Sequence, residues 1–197
     1  MQKLAPNDLM TLETYARERG TFRARVLAHK QTRRVALGAH LTLLFEDRLT
    51  IQYQVQEMLR VERIFEAQGI ADELDAYNPL IPDGANLKAT LLIEYADADV
   101  RARKLVELHG IEHRIALAIG ELAPVFAIAD EDLQRSTESK TSAVHFLRFE
   151  LSPAHLAAFK RGDAVELVVD HPAYQGKTTL DAPTHAALAA DLASRAG

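Results

Sequence analysis

The chain reads as an α+β protein: a largely antiparallel sheet packed against a long central helix and several shorter helices. Three observations carry that expectation. Residues 48 to 68 hold no Pro and no Gly, a run far too long for a strand and ordinary for a helix. Four later apolar segments, near 111–119, 124–129, 143–151 and 165–169, are divided by short connections, which favours antiparallel pairing. The chain has 197 residues, 48% hydrophobic and 26% charged, which suits one globular domain spanning 1–197.

The elements follow in order. Pro6-Asn7-Asp8 opens a short helix that carries Leu9, Leu12 and Tyr15 at helical spacing and ends near Gly20. A second, basic helix over 22–32 completes a helical N-terminal segment of about 5–34. Val35 to Phe45 alternates as one strand, with His40 and Thr42 on the less apolar face. Asp47 is placed to cap the long helix, and Gly69 to end it. Along that helix Ile51, Val55, Met58 and Phe65 share one side, and Leu49, Tyr53 and Ile64 lie nearly opposite. The spacing predicts packing from two sides.

Pro82-Asp83-Gly84 marks a turn within a loop over 69–86. Leu87 to Tyr95 is the next strand, with Glu94 on its less apolar face. A helix over 97–108 stops at Gly110, and the four later strands follow. Between the second and third of these, residues 130–142 are polar apart from Leu133 and read as a loop. Ser152-Pro153 begins a short helix, and residues 184–193 form the closing one.

Composition narrows the function classes. There is no cysteine, so disulfides, thiolate zinc sites and cysteine-bound iron–sulfur clusters are excluded. The net charge of −5 is spread along the chain, which argues against nucleic acid as a partner. The densest basic stretch, 22–34, contains Arg23, Arg25, Lys30, Arg33 and Arg34, a local patch suited to a partner contact or to solvent. The first ten residues lack an apolar core segment and no run of 18 apolar residues occurs. The expectation is therefore a cytoplasmic protein with no membrane partner, and homodimerisation is the default assembly.

Candidate sites are few. Gln52, Gln56 and Arg60 stand at i, i+4 and i+8 on the long helix, with Glu57 beside them. On a helix packed from both sides this lane is a buried polar seam or the wall of a ligand pocket shared with His40, Glu94 and Tyr174. A carboxylate in LLIEY needs a partner or a metal, since buried acids are rare without one. His145 on the apolar side of its strand and His171 at a strand end join His40 and Glu94 as candidate metal ligands, with a non-haem ion as the cofactor. His109 and His113 have helical spacing, but Gly110 interrupts them and Glu112 is misplaced for an HExxH pattern. Gly-rich phosphate loops and GxSxG are absent.

The segments FEDRLTIQYQVQEMLRVERI, YNPLIPDG, LKATLLIEY and VVDHPAY resemble a bacterial family of unknown function, the one numbered 3501, over about residues 3 to 193. The resemblance transfers no catalytic residue. It implies a genomic setting beside a rubrerythrin-like protein and an iron–sulfur oxidoreductase, and hence those proteins as partners. Two readings follow. One is an accessory protein of a redox or oxidative-stress pathway, preferred because no known catalytic constellation is present. The other is an enzyme or a small-ligand or metal-binding protein, with a pocket on the 48–68 lane and nearby His and Glu side chains.

Overall fold

Why the nine strands among the described residues hold together is clearest from their shared interior. In the computed structural model, which describes residues 2–131, 135–137 and 139–192, every strand pairing is antiparallel. One sheet has the order β1 (Arg34–Leu37), β2 (Leu41–Phe45), β3 (Asn86–Ile93), β7 (Val144–Glu150), β6 (Ile128–Ala129). The other has the order β5 (Val125–Phe126), β4 (Ile115–Ile119), β8 (Val165–His171), β9 (Tyr174–Thr179). Alternation points Leu43, Leu91 and Phe149 of the first sheet into one core with Leu117, Leu167 and Val169 of the second. Phe159 of α5 (Pro153–Arg161) and Leu188 of α6 (Ala182–Asp191) complete that core. The α+β class read from the sequence therefore holds. Among the described residues no helix is long and apolar enough to cross a membrane.

The N-terminal helices form a layer with cores of their own. α1 (Leu12–Lys30) buries Tyr15, Phe22 and Val26, and it runs straight through Gly20 where the sequence predicts a break. These three positions make one apolar stripe, whose burial outweighs the roughly 1 kcal/mol that a helical glycine costs. α2 (Arg48–Glu62) is capped by Asp47 as expected, but it ends seven residues before Gly69. Arg63 terminates it in the left-handed region at φ 56°. Gly69 instead lies inside α3 (Ala67–Tyr77), within the span expected as loop, where an added Cβ would meet Ile64 at 2.7 Å. Phe65, expected on a buried face, falls in the connection and is exposed. α2 packs against α1 and α3 through Ile51, Val55 and Leu59 on one side and Leu49 and Tyr53 on the other, so it is central to the helical layer.

Other boundaries differ for local reasons. The expected strand 35–45 is a hairpin, β1 to β2, that turns at Gly38 with φ 73°. Leu37 pairs with Leu41, so the alternation survives the turn and conceals it. A Cβ at Gly38 would lie 2.4 Å from the Tyr174 hydroxyl, which leaves room for glycine alone. Pro172 and Ala173 form a tight turn, not a strand end, and β9 follows them. Ile111–His113 is a 3-10 turn ahead of β4, and α4 (Ala98–Glu107) precedes it. Of the polar connection 130–142, residues 132–134 and 138 lie outside the described residues, as does residue 193 of the expected closing helix.

Among the described residues a buried guanidinium links the helical layer to the sandwich, beside Glu46, which accepts from Thr50 of α2 and from Thr90 of β3. Arg33 donates to both oxygens of Asp191 in α6, at 2.7 and 2.9 Å, and lies 3.0 Å from Asp47, the cap of α2. His29 approaches the same Asp47 oxygen at 2.6 Å. Replacing Arg33 by Met leaves two carboxylates buried without their cation. We expect a loss of about 3–5 kcal/mol in urea unfolding, largely recovered when Asp191 is also replaced by Leu.

Candidate functional site

Three ionisable side chains far apart in sequence meet where the chain crosses between the two sheets. Glu112 stands on the 3-10 turn after α4, Asp130 follows β6, and His145 is the second residue of β7. The crossing is built by short pairings: Ala127 donates to Ile115 in one sheet, and Asp130 donates from its backbone to Phe146 in the other. Asp130 sits at φ 53°, a left-handed conformation that Asp tolerates better than most residues. Its side chain is thereby turned back onto β7. Oδ1 accepts from the Phe146 N–H at 3.2 Å, and Oδ2 lies 2.7 Å from Nδ1 of His145.

On the other side of the ring, His145 Nε2 lies 2.7 Å from the Thr141 hydroxyl, 3.0 Å from the Ser142 carbonyl and 3.9 Å from Glu112 Oε2. Thr141 and Ser136 each donate to Glu112, at 2.9 and 2.7 Å. His145 is fully buried and the Glu112 side chain is 4% exposed. Burial opposes ionisation of Glu112. The hydrogen bonds from Ser136 and its own backbone, the nearby His145 and Thr141 outweigh that penalty and hold its carboxyl below the usual range. One ring nitrogen of His145 and one oxygen each of Asp130 and Glu112 lie within 4.8 Å of one another. A cleft of about 390 Å³, edged by His109, His113, Arg135 and Thr137, opens onto Glu112 and Asp130.

The other residues singled out from the sequence lie elsewhere. His40 stacks on Tyr95 with ring centroids 4.0 Å apart, and its Nδ1 faces the Glu94 carbonyl. Glu94 lies just past the end of β3, half exposed, accepting from Thr42 at 2.6 Å and pairing with Arg34 at 3.4 Å. His171 uses both ring nitrogens, Nδ1 accepting from Ala173 N–H and Nε2 donating to the His109 carbonyl. Tyr174 receives the His40 N–H and donates to the Leu37 carbonyl, which fixes the β1–β2 turn. Of the four expected metal ligands, only His145 belongs to the cluster that the fold assembles.

The α2 lane faces the N-terminal segment. Gln52 donates to the Asp8 carbonyl, and Gln56, fully buried, pairs with both backbone groups of Met10. Glu57 accepts from Tyr15 at 2.6 Å and from Arg19 at 2.7 and 2.9 Å, with Arg60 at 3.1 Å on its exposed side. These contacts make a seam between α1 and α2. A separate groove of about 250 Å³ beside Leu80, Lys88 and Phe146 contains no histidine, and its Arg148 is already paired with Glu131 and Glu150.

The buried histidine, two acids and two hydroxyls define this as an α+β two-sheet protein with a His–carboxylate cluster at the crossing between sheets. A family model described as "Protein of unknown function (DUF3501)" matches residues 3–192, and the chain belongs to that family. It is also similar to a crystal structure at 1.90 Å of a novel protein of unknown function from Burkholderia pseudomallei K96243. That likeness has 52% identity and a TM-score of 0.93, over 98% of this chain and 100% of the other. No curated protein matches.

Glutamate 57 gives a test of the seam. Its hydrogen bonds with Arg19, ahead of those from Tyr15 and Arg60, pull its carboxyl from 4.5 to about 2 against the cost of burial. Because the folded-state value is the lower one, this stabilisation is complete above about pH 4.5 and fades as pH falls towards 2. Glu57→Gln should remove about 1–2 kcal/mol of acid-dependent stability across that window, allowing for screening of the part-exposed Arg19. Arg60→Met should change stability by no more than about 0.5 kcal/mol in urea melts, since Arg60 is a surface partner.

Proposed function

We propose that this protein binds a divalent first-row metal ion through Glu112, Asp130 and His145. The observation that supports the reading is the convergence of two carboxylates and one imidazole, from three separate elements, within 4.8 Å in a buried corner beside a cleft. Bonds from His and carboxylate to such a metal are about 2.0–2.2 Å, so opposed ligand atoms stand roughly 4.3 Å apart. To take an ion, the widest spacing of up to 4.8 Å would draw in by about half an ångström, and His145 Nδ1 and Asp130 Oδ2, 2.7 Å apart, would exchange their hydrogen bond for bonds to the metal. Two acids buried beside one histidine carry negative charge that a dication offsets, and the histidine, serine and threonine contacts order the acids beforehand.

One imidazole with two carboxylates is a mixed donor set, which suits Mn²⁺, Fe²⁺ or Zn²⁺ better than a thiolate-seeking ion. A bound ion there supplies Lewis acidity or an acidified water at the head of the cleft. Ser136 and Thr141 hold Glu112 in place, and Asp130 fixes the ring of His145.

The accessory-protein reading, with a redox or oxidative-stress partner, rests on what the family resemblance implies and on no observation of this structure. Of the basic stretch expected as its docking patch, Arg33 is buried on Asp191, whereas Arg34, paired with Glu94, and Arg25, over Phe22, stay at the surface.

Calorimetric titration of chelator-treated protein tests the metal reading. Mn²⁺ or Zn²⁺ should bind with one-to-one stoichiometry, and Glu112→Gln or His145→Asn should each weaken the affinity at least about tenfold. Glu94→Gln and His171→Gln should leave it unchanged. Equal loss in all four variants, or no saturable binding to the unmodified protein, would refute the assignment.

A further inference from the structure

We infer that the chain pairs with a second copy of itself, the turn between α2 and α3 of each copy docking in a groove beside α1 of the other. None of Glu112, Asp130 and His145 takes part, so the pairing stands apart from the metal reading. At the turn, Arg63 adopts left-handed backbone and ends α2. Ile64 then goes into the core of α2 and α3, while Phe65 is left 73% exposed and Val61 58% exposed. Phe65 is the most exposed large apolar side chain among the described residues. Charge around it is one-sided: residues 62–75 hold Glu62, Glu66, Asp72, Glu73 and Asp75 against Arg63 alone. Burial first, then the nearby Glu62 and Asp72, push the Glu73 carboxyl above its usual range, so these acids face like charge.

The groove has the opposite character. Residues 20–34 hold five cations and no acid. Arg33 is buried on Asp191, Arg34 pairs with Glu94 and Arg25 lies over Phe22. Arg23 and Lys30 have no carboxylate partner among the described residues, although Lys30 lies 5.8 Å from the centre of the Tyr53 ring. Leu27 follows Arg23 by four residues and precedes Lys30 by three, so the three share one exposed side of α1. Leu27 and Lys30 edge a groove of about 300 Å³ floored by Leu44 of β2 and Leu92 of β3. Glu94, which also lines it, is held by Thr42 and Arg34. An aromatic side chain on an acidic turn therefore matches this basic-edged apolar groove in both polarity and sign. One copy cannot make the contact with itself. Ile64 packs with Leu12 at the start of α1, whereas Leu27 and Lys30 lie near its end, roughly 20 Å further along the helix. A two-fold axis brings each turn to the other copy's groove and makes the same contact twice.

Sedimentation equilibrium on the full chain at micromolar concentration tests the pairing. The unmodified chain should sediment as a dimer, and raising salt from about 0.05 to about 0.5 M should weaken it several-fold. Phe65→Ser should weaken the dimer at least about tenfold, whereas Val106→Ser, another exposed apolar position, should leave it unchanged. A chain with Arg23→Glu and Lys30→Glu should pair poorly with itself, as should a chain with Glu62→Lys and Glu73→Lys. Mixed together, the two should form a heterodimer of near-normal affinity, because one contact is then native and the other reversed in sign on both sides. Thermal melts matching that of the unmodified chain establish that each variant is folded. A monomer, or an assembly larger than a dimer, from the unmodified chain overturns the pairing. So does a dimer that withstands Phe65→Ser, or a mixture of the two charge-reversed chains that fails to associate.

Discussion

A buried charge must be matched, and this fold is organised around meeting that demand at Arg33. Its guanidinium is nearly inaccessible, yet it touches the cap of α2 and the last turn of α6 and follows the end of α1 by three residues. Apolar packing divides the molecule into a sandwich core and separate helical cores. Such contacts are non-directional and do not fix how one layer sits on another. The fork of Arg33, bidentate to Asp191, supplies that direction. Polar seams do the same elsewhere: Gln52, Gln56 and Glu57 set the register of α2 against the N-terminal segment, and Tyr174 pins the β1–β2 turn.

The cluster of Glu112, Asp130 and His145 differs from these in its balance. At Arg33 a cation reaches its acids directly at hydrogen-bond distance. At the crossing between sheets, the acids are held largely by neutral hydroxyls and backbone, with a histidine between them and Arg135 at the rim. The arrangement is ordered, buried and open on one side. Structural seams close on themselves, whereas this one ends in a cleft.

Much of the fold was legible in the sequence, and the reasons for the rest are physical. Period-2 and period-3.6 patterns gave most strands and helices, and Asp47 and Ser152 capped the helices expected of them. Parity hid the β1–β2 turn, because a connection of three residues returns Leu41 to the same face as Leu37. Gly69 was read as a helix end when it is a site of close approach, a distinction that only the position of Ile64 reveals. The α2 lane was legible as a polar seam because its partners are helical neighbours. The proposed metal set was legible only at His145. Asp130 and Glu112 lie 15 and 33 residues from it, each in a segment with its own plain explanation, a polar loop and a failed HExxH pattern. Spacing cannot report a meeting made by the crossing of two sheets.

The most direct test of the central assignment is diffraction from a crystal of this protein equilibrated with Mn²⁺, recorded where manganese scatters anomalously. The account predicts one strong anomalous peak about 2.0–2.3 Å from an oxygen of Glu112, an oxygen of Asp130 and a ring nitrogen of His145, with further positions open to the cleft. A map without a peak there, with His145 still hydrogen-bonded between Asp130 and Thr141, would contradict it.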